Sequence, residues 1–474
     1  VLDEYYQGVH YFKADLKGLT PGTKYIYKIG KTGSDSVNDW SREYHFETEA
    51  ENTDEFKFIA LSDTQGTVWD GDVKYTHATL HAAKNDVPDA AFLLNAGDLI
   101  QDATNDVNSW NMYLKSLKGV CETLPHYAAI GNHDIWKHIE GNEHLGMGEN
   151  MLFDLHLNHP NNGGTAAVDI TKDDLAPSNI GIPILFQQQN FDETIYSFNY
   201  GNAHFVVLNS GGSWGMDTDD VVLLNGQKRW LKDDLEANKD ARWKIVVMHR
   251  PVYASSKPVY DNLVFGDVFQ KYGVDLVIHG DEHWTARSYQ IDNEAIVASS
   301  MQNVDLVSKG KGTVYTLIGS VKTFGNSHVT YNGTFHREMF MGNGTEDKLP
   351  VYATFEITDE KIEVTHKQID GMVVDNFTII ADDAAAQVVR VSQFGVAVKE
   401  LLQLTPGYKA KAETNGDAEI LVGYYDETGR LVYAQNADEN HEFVVYDGDF
   451  AELRLFALES IGSMKPLSKA YELK

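Results

Sequence analysis

The alternation of apolar and polar residues changes character twice along the chain. From residue 1 to about residue 50 it follows the two-residue period of β-strands, as in YYQGVHYFKADL and KYIYKIG. Roughly three or four strands fit in this stretch, whereas a complete β-sandwich needs about seven. The pattern therefore predicts a partial β-sandwich over residues 1–53.

After the polar segment AENTDE, short apolar runs alternate with amphipathic stretches. The runs FKFIALS, AAFLLNA and HYAAI predict buried strands, with helices between them near residues 73–84 and 107–117. Further strands are predicted at 194–199, 203–209, 243–248 and 274–278, and further helices at 226–237 and 263–272. Such alternation is typical of βαβ units and predicts an α/β domain over residues 54–380.

The segment ADDAAAQ at residues 381–387 has the composition of a linker, and the pattern changes again after it. ILVGYYDETGRLVYAQ places a turn sequence between two alternating strands, and EFVVYDG and AELRLFALE also have strand character. This pattern predicts a small all-β accessory domain over residues 381–474, and we find no catalytic signature in its sequence.

Charge and cysteine content narrow the classes of function. The 39 Lys and Arg against 70 Asp and Glu give a formal net charge of −31. This charge argues against binding to a nucleic-acid backbone or to an anionic membrane. No stretch reaches the ~20 apolar residues of a membrane span. The single cysteine, Cys121, excludes an intrachain disulfide and is expected to be a buried structural thiol rather than a nucleophile.

Candidate metal ligands follow five of the predicted strands, each at the point where the strand gives way to a loop. They are Asp63, Asp98, Asn132 with His133 and Asp134, His249, and Asp281 with His283. In open α/β sheets the carboxyl ends of strands form the crevice where ligands bind. One such Asp or His is commonly a turn residue or a helix cap. Five such segments together favour a site for two metal ions.

The order of these segments resembles the calcineurin-like metallophosphoesterases, and within them the branch similar to purple acid phosphatases. The matching pieces are Asp63-Thr64-Gln65, Gly97-Asp98, Gly131-Asn132-His133-Asp134, His249 and Gly280-Asp281-Glu282-His283. The resemblance implies a four-layer α/β/β/α metallophosphoesterase sandwich, preceded by a fibronectin-III-like domain and flanked here by β-rich domains at both ends. Two positions depart from the family pattern: Gln65 and Asp281 stand where the first and fifth motifs usually have His.

The resemblance also implies which residues hold which ion, with Asp98 as the bridge. The implied ligands are Asp63, His283 and the side-chain oxygen of Gln65 for the first ion, and Asn132, His249 and Asp281 for the second. Two divalent ions are expected, Mn, Fe, Mg or Zn, with Mn favoured because the donors are rich in oxygen. A purple Fe(III)–tyrosinate site is not expected, because Gln101 stands where purple acid phosphatases have tyrosine.

Three further residues are assigned roles towards the substrate. His133 would contact the phosphate and the leaving group as a general acid or hydrogen-bond donor. Asp134 would orient His133, with a simple loop cap as an equal alternative. Arg287 could reach a substrate phosphate, although a salt bridge on the strand surface is the favoured alternative. His279 could replace Asp281 as a ligand, but a side chain packed against the sheet is favoured.

Between Asp134 and Thr194 lies an insertion of about 55 residues, a length typical of a lid or specificity loop or else of a disordered segment. Its histidines are His138, His144, His156 and His159. They suggest a third metal site, but solvated or locally hydrogen-bonded histidines are the favoured interpretation.

The prediction for function is a metal-dependent phosphoesterase that hydrolyses phosphomonoesters or phosphodiesters with a water activated between two metal ions. The alternative is a non-catalytic or single-metal descendant that acts as an extracellular binding module. The substitutions at Gln65 and Asp281 and the flanking β domains would suit that role. A third interpretation keeps the metals but assigns a non-phosphate ester as substrate.

The expected partner is a small-molecule or surface phosphoester. The module architecture favours a secreted or cell-surface protein and leaves a cytoplasmic location open. The chain opens on Val1 rather than Met, which predicts a mature or trimmed form.

Overall fold

The computed structural model describes residues 2–6, 9–30, 33, 39–66, 70–101, 107–135, 151–163, 193–210, 218–253, 263–292, 295–297, 306–321, 339–341, 349–381, 387–391, 409–414, 419–438, 442–446, 448–458, 460, 462 and 471–473. The chain divides into two compact units, Val1–Val297 with Lys309–Ile379 and Ala298–Ser308 with Ile380–Lys474. The N-terminal strands cluster with the first unit. The division into three domains predicted from the sequence stays a prediction.

The secondary structure is mixed. The helices are α1 (Asp70–Asp86), α2 (Val107–Ser116), α3 (Asn132–Ile135), α4 (Met151–His156), α5 (Thr218–Ala237) and α6 (Leu263–Tyr272). The strands, in chain order, are β1 (Leu2–Tyr6), β2 (Val9–Lys13), β3 (Lys24–Tyr27), β4 (Tyr44–Glu47), β5 (Phe56–Leu61), β6 (Leu93–Asn95), β7 (His126–Ala128), β8 (Tyr196–Tyr200), β9 (Ala203–Leu208), β10 (Trp243–Met248), β11 (Leu276–His279), β12 (Thr285–Ser288), β13 (Ile291–Asp292), β14 (Ala295–Ile296), β15 (Leu306–Ser308), β16 (Val314–Ile318), β17 (Met339–Met341), β18 (Val351–Ile357), β19 (Lys361–Gln368), β20 (Val373–Ile380), β21 (Gln387–Val391), β22 (Lys409–Thr414), β23 (Glu419–Tyr425), β24 (Leu431–Asn436), β25 (Glu442–Val444), β26 (Glu452–Leu458) and β27 (Tyr471–Leu473).

The four N-terminal strands form two antiparallel pairs, β1 with β2 and β3 with β4. Residues of β2, β3 and β4 alternate between half-buried and exposed, as the two-residue period predicts. The Lys13 ammonium forms ion pairs with Asp154 at 2.7 Å and Glu193 at 3.0 Å. These ion pairs connect the N-terminal segment with the rest of the first unit. The fibronectin-III-like character of the segment stays a prediction.

Two sheets form the body of the first unit. In one, the strand order is β20–β19–β18–β5–β6–β7, with β5, β6 and β7 parallel. In the other, the order is β17–β12–β16–β11–β10–β9–β8, with β16, β11, β10 and β9 parallel. Every residue of β9, β10 and β11 is buried, which explains why these strands are continuous apolar runs in the sequence.

Aromatic side chains join the two sheets. Phe58 of β5 stacks on Phe355 of β18 with ring centroids 4.3 Å apart, and it meets Phe205 of β9 edge-on at 5.6 Å. Tyr127 of β7 stacks on Phe198 of β8 at 4.0 Å. Because these pairs connect β5 and β7 with β9 and β8, the two sheets pack face to face.

Helices cover the outer faces of both sheets. Leu80 of α1 and Trp110 of α2 belong to the apolar core on one side, and Leu231 of α5 and Phe265 of α6 to the core on the other. The layers therefore run helix, sheet, sheet, helix, and the predicted α/β/β/α sandwich is confirmed. Among the described residues, no helix is long and apolar enough to cross a membrane.

The second unit is built from strands in the part of it that the structure describes. One sheet has the order β21–β22–β25 and another the order β24–β23–β26–β27. Ile420, Tyr424 and Leu455 lie in its apolar core. Asp426 accepts backbone N–H groups of Thr428 and Arg430 at 2.9 and 3.0 Å and so shapes the turn between β23 and β24.

Because Phe58 lies at the junction of the two sheets with no exposed surface, Phe58→Ala should lower the free energy of unfolding by about 3–5 kcal/mol. Urea unfolding of the metal-free protein measures this change. Phe12→Ala is the matched control: its ring is 68% exposed, so the loss should stay within about 0.5 kcal/mol. Equal losses in the two variants would contradict the face-to-face packing.

Candidate metal centre

The candidate ligands lie just beyond the carboxyl ends of parallel strands in both sheets. Asp63, Asp98 and Asn132 follow β5, β6 and β7 of one sheet. His249 follows β10, and Asp281 with His283 follows β11, in the other. Because the sheets pack face to face, these ends meet in one crevice, as expected for ligand sites in α/β folds.

Distances between ligand atoms show how closely these side chains approach. Asp63, Asp98 and His249, all buried, each offer one ligand atom within 4.8 Å of the others. His283 Nε2 lies 3.4 Å from Asp63 Oδ1, and Asp281 Oδ1 lies 3.7 Å from His249 Nε2. The distances between potential ligand atoms thus bring together five of the seven predicted metal ligands.

The backbone is strained at these residues. Among the described non-glycine residues with positive φ are Asp63 (50°), Gln65 (38°), Asp98 (55°), Asp281 (69°) and His283 (59°). Such conformations cost about 1–3 kcal/mol each and persist where the surrounding structure holds them, often at functional sites. The turns therefore keep the side chains in place at a cost in stability.

Asn132 lies at the start of α3, and its side-chain oxygen lacks a partner among the described residues. Asn132 Oδ1 is buried and has no hydrogen-bond partner within the described part of the chain. A buried amide oxygen without a partner is unfavourable, because it has lost its hydrogen bonds with water. The neighbouring His133 N–H donates to Asp98 Oδ1 at 2.9 Å, which places Asn132 beside that carboxylate. A cation at this position would satisfy the orphaned oxygen.

His249 is oriented by its backbone contact. Its Nδ1 lies 2.8 Å from the carbonyl oxygen of Ala96, which can only accept, so Nδ1 carries a hydrogen. Its Nε2 is buried and makes no regular hydrogen bond among the described residues, although Asp98 Oδ1 lies 3.2 Å away. This is the arrangement in which histidines bind metals, with the second nitrogen held by a carbonyl.

The carboxylates and imidazoles of the site change each other's acidity. Burial alone would raise the pKa of Asp98, but the charge and close approach of His249, the charge of His133 and the hydrogen bond from the His133 N–H lower it overall. Burial would lower the pKa of His249, whereas Asp98, Asp63 and Asp281 together raise it to about 10. The pKa of His283 is also raised, by Asp63 above all, against the effect of burial. Without a metal, protons on the histidines compensate the carboxylates.

Gln65 contacts the predicted bridge through its amide. Its Nε2 donates to Asp98 Oδ2 at 3.2 Å, and the residue is buried. A metal-binding role for the Gln65 oxygen would require the opposite amide orientation. That role stays a prediction, and the contact as it stands makes Gln65 a hydrogen-bond partner of the bridge.

His133 lies at the edge of the cluster, with its Nε2 3.9 Å from Asp98 Oδ2. Its Nδ1 donates to the carbonyl oxygen of Gln101 at 2.7 Å. The Gln101 side-chain amide lies 3.2 Å from the same nitrogen. Gln101 thus fixes the imidazole so that Nε2 faces the site.

Asp134 and Arg287 have partners that argue against direct roles in the chemistry. Asp134 accepts the N–H groups of Ile100 and Gly131 at 3.0 and 2.8 Å. Burial and the charge of Asp98 raise its pKa to about 8. Arg287 forms a bidentate ion pair with Asp375 at 2.8 and 2.9 Å. These contacts favour the loop-cap alternative for Asp134 and a salt bridge for Arg287, although that salt bridge is buried rather than on the strand surface. The orienting role of Asp134 and the substrate-binding role of Arg287 stay predictions.

Other histidines singled out in the sequence have structural partners. His156 and His159 contact the carbonyl oxygens of Leu152 and Glu193 at 2.7 and 3.2 Å, as the interpretation of local hydrogen bonding expects. His279 contacts the carbonyl of Met248 at 3.0 Å within the sheet. His138 and His144 lie outside the described residues.

Sequence reasoning missed several residues that shape the centre. Ser62 donates to Asp63 Oδ2 at 2.7 Å, and Ser320 donates to the carbonyl of Asp63 at 3.1 Å. Gly280 passes so close that a Cβ there would lie 2.0 Å from Ser62 Oγ. The position of Ser62 next to Asp63 in the sequence could have indicated their contact. Ser320 is 257 residues away from Asp63, so no local sequence pattern indicates that contact.

Two protein families match parts of this chain. Residues 56–285 match the calcineurin-like phosphoesterase family, and residues 2–48 match the purple acid phosphatase N-terminal domain.

Relatives by sequence include proteins of plants, animals and a fungus. The chain is 23% identical over 326 residues to "Probable inactive purple acid phosphatase 1" of Arabidopsis thaliana, covering 65% of this chain and 48% of that protein. It is 25% identical over 337 residues to "Acid phosphatase type 7" of Mus musculus, covering 65% and 63%. The chain thus spans between about half and two thirds of the length of these relatives.

A solved structure supports the fold. The purple acid phosphatase PPD1 from yellow lupin (Lupinus luteus) seeds superposes with a TM-score of 0.56 at 18% identity, covering 77% of this chain and 61% of that chain. At this identity the likeness bears on the fold alone. With these two family matches, the chain carries a calcineurin-like phosphoesterase domain preceded by a purple acid phosphatase N-terminal domain, and its relatives by sequence include purple acid phosphatases.

Proposed function

We propose that the protein hydrolyses phosphoester bonds at a centre of two divalent metal ions. The observation that carries the proposal is the buried group of Asp63, Asp98 and His249, whose ligand atoms lie within 4.8 Å, beside the orphaned oxygen of Asn132. Among the described residues, Asn132 Oδ1 and His249 Nε2 of this group have no hydrogen-bond partner, and cations would complete their coordination.

We divide the proposed ligands into two sets that share Asp98. Asp63 and His283, whose Oδ1 and Nε2 atoms lie 3.4 Å apart, would hold the first ion. His249 and Asp281, 3.7 Å apart, would hold the second with Asn132. Gln65 would join the first set after a rotation of its amide.

The charge of the centre favours hard cations and anionic substrates. Asp63, Asp98 and Asp281 contribute three negative charges, and two divalent ions would contribute four positive ones. The net charge of the centre would then be +1, which would attract the negatively charged phosphate. Oxygen donors predominate among the proposed ligands, which favours Mn²⁺, Mg²⁺ or Fe²⁺, with Mn²⁺ preferred.

When bound, the two ions would polarise the phosphoryl group and lower the pKa of an attacking water. The protein contributes the remaining functions. His133 is held at Nδ1 by the carbonyl oxygen of Gln101, and its Nε2 faces the site. When both ring nitrogens are protonated, Nε2 would donate a proton or a hydrogen bond to the departing oxygen. Positive φ angles at Asp63 and Asp98 keep the carboxylates oriented before substrate binds.

Hydrolysis of an aryl phosphate by the full chain, stripped of metal and then supplied with Mn²⁺, Mg²⁺, Fe²⁺ or Zn²⁺, tests the proposal. We expect turnover that depends on added metal and is greatest with Mn²⁺. The rival is a non-catalytic or single-metal binding module, and it is favoured by the Gln65 amide nitrogen, which faces Asp98 where a ligand was expected. Absence of hydrolysis with every metal would favour that rival.

Asn132→Ala should reduce the bound metal from two ions to one per chain, because it removes the amide oxygen from the second set. Equilibrium dialysis against Mn²⁺ followed by elemental analysis measures the stoichiometry. Asn376→Ala, at an exposed position on β20, should still bind two. Two ions retained by Asn132→Ala would show that this oxygen is not a ligand.

His133→Ala should leave the metal content unchanged and lower kcat by about 10²–10⁴-fold, because it removes the donor to the leaving group. Steady-state kinetics with aryl phosphates of different leaving-group pKa would show the largest loss for the poorest leaving group. His81→Ala, on the outer helix α1, should retain wild-type kinetics. A uniform loss across all leaving groups would contradict the donor role.

Metal binding should strengthen as the pH rises, because the raised pKa of His249, about 10, means that an ion must displace a proton from Nε2. Between pH 6.5 and 8.5 we expect about a tenfold gain in affinity per pH unit for each proton displaced. Calorimetric titration with Mn²⁺ in buffers of different ionisation enthalpy counts these protons. An affinity that is independent of pH would contradict the proposed competition.

The stability of the metal-free protein should instead fall as the pH rises. Since the folded-state pKa of His249 lies above its ordinary value of 6.5, its stabilising contribution is present below that pH and is lost as the pH rises towards about 10.

A further inference from the structure

A chain of buried hydrogen bonds runs beneath the turn that carries Asp98. The N–H of Gly97 donates to Asn95 Oδ1 at 3.1 Å. Asn95 Nδ2 donates to the Tyr113 hydroxyl at 3.4 Å, and that hydroxyl lies 3.1 Å from His126 Nε2. The sequence pattern did not single out Asn95, Tyr113 or His126 as functional, and the proposed reaction does not use their side chains.

The donors and acceptors in this chain have one consistent direction. The oxygen of Asn95 is taken by Gly97, so its amide nitrogen faces Tyr113 as a donor. The Tyr113 hydroxyl then gives its own hydrogen to His126 Nε2, which must accept and is therefore neutral. Burial lowers the pKa of His126 to about 4, in agreement with this assignment.

Tyr113 lies under two of the turns that hold metal ligands. It is 1% exposed, and a Cβ built on Gly66 would lie 3.6 Å from the Cβ of Tyr113. Gly66 follows Gln65 on the β5 turn, while Asn95 leads into the β6 turn. One side chain of α2 thus supports the turns of both Gln65 and Asp98.

The supported β6 turn is a strained one. Gly97 has φ 102° and Asp98 has φ 55°. An Asp in this conformation relaxes to negative φ unless contacts hold it, and relaxation would swing the carboxylate out of line with His249. The hydrogen bond from Gly97 to Asn95 is one of the contacts that oppose this relaxation. The N–H groups of Asp63 and Gln65 also donate to the carbonyl oxygens of Gly97 and Asp98, at 3.0 and 2.8 Å.

We propose that Asn95 and Tyr113 are positioning residues that hold the Asp98 carboxylate in the orientation needed to serve two metal ions. The inference rests on the proposed function, since it concerns the same centre. Residues that orient metal ligands through hydrogen bonds typically affect metal affinity by 10–100-fold. The Tyr113 hydroxyl acts through Asn95, so its effect should vanish when Asn95 is absent.

Tyr113→Phe tests the inference by removing the hydroxyl alone. We expect Mn²⁺ to bind about 10-fold more weakly, measured from the free-ion electron paramagnetic resonance signal during titration of the full chain, without substrate. Tyr352→Phe is the matched control, because Tyr352 belongs to the same apolar core and its hydroxyl contacts Asp86 instead. That control should bind Mn²⁺ as the wild type does.

Asn95→Ala and the double variant complete the design. Asn95→Ala should weaken Mn²⁺ binding at least as much as Tyr113→Phe, and adding Tyr113→Phe to it should produce no further loss. If Tyr113→Phe fails to fold, the comparison of Asn95→Ala with Tyr352→Phe still carries the test.

The outcomes separate this inference from the proposed function. Wild-type affinity in both Tyr113→Phe and Asn95→Ala would overturn the inference while leaving the metal centre intact. A lowered melting temperature of the metal-free variants with unchanged Mn²⁺ affinity would also overturn it, since that result indicates a purely structural role. Failure of the wild type to bind Mn²⁺, Mg²⁺, Fe²⁺ or Zn²⁺ would overturn the proposed function itself and the inference with it.

Discussion

The mutual repulsion of neighbouring carboxylates is the constraint on which this structure depends. Asp63 and Asp98 are almost entirely buried, and Asp281 reaches the same crevice. Buried charges of one sign are unfavourable unless opposite charges accompany them. Within the described residues of the cluster, His249 and His283 supply that charge when protonated, which accounts for their raised pKa values. Two divalent ions in place of the two protons would compensate the carboxylates more fully and satisfy Asn132 as well.

The fold supplies the geometry in which this repulsion can be maintained. Aromatic packing between the sheets, centred on Phe58 and Phe205, aligns the carboxyl ends of strands from both halves. Tight turns with positive φ then point Asp98 and Asp281 inward, and hydrogen bonds from Ser62 and from the N–H of Asp281 fix the Asp63 carboxylate. A centre built in this way is oriented before any ligand arrives, at the expense of local stability.

Much of this arrangement could be predicted from the sequence because its signals are local. The continuous apolar runs predicted β9, β10 and β11, and the polar residues directly after strands marked Asp63, Asp98 and His249. Pairings between distant residues could not be predicted in this way. Arg287 was considered for the substrate, yet its bidentate partner Asp375 lies 88 residues further along the chain. The orientation of the Gln65 amide and the contacts of Asp134 likewise depend on packing that no sequence pattern records.

Anomalous X-ray diffraction from crystals grown with Mn²⁺ would test the central claim most directly. The claim is that two metal ions share one carboxylate, Asp98, and are held by separate ligand sets, each with residues from both sheets. We predict two anomalous peaks of comparable height, one between Asp98 and the Asp63–His283 pair and the other between Asp98 and the group of His249, Asp281 and Asn132. A single peak, or none beside Asp98, at saturating Mn²⁺ would contradict it.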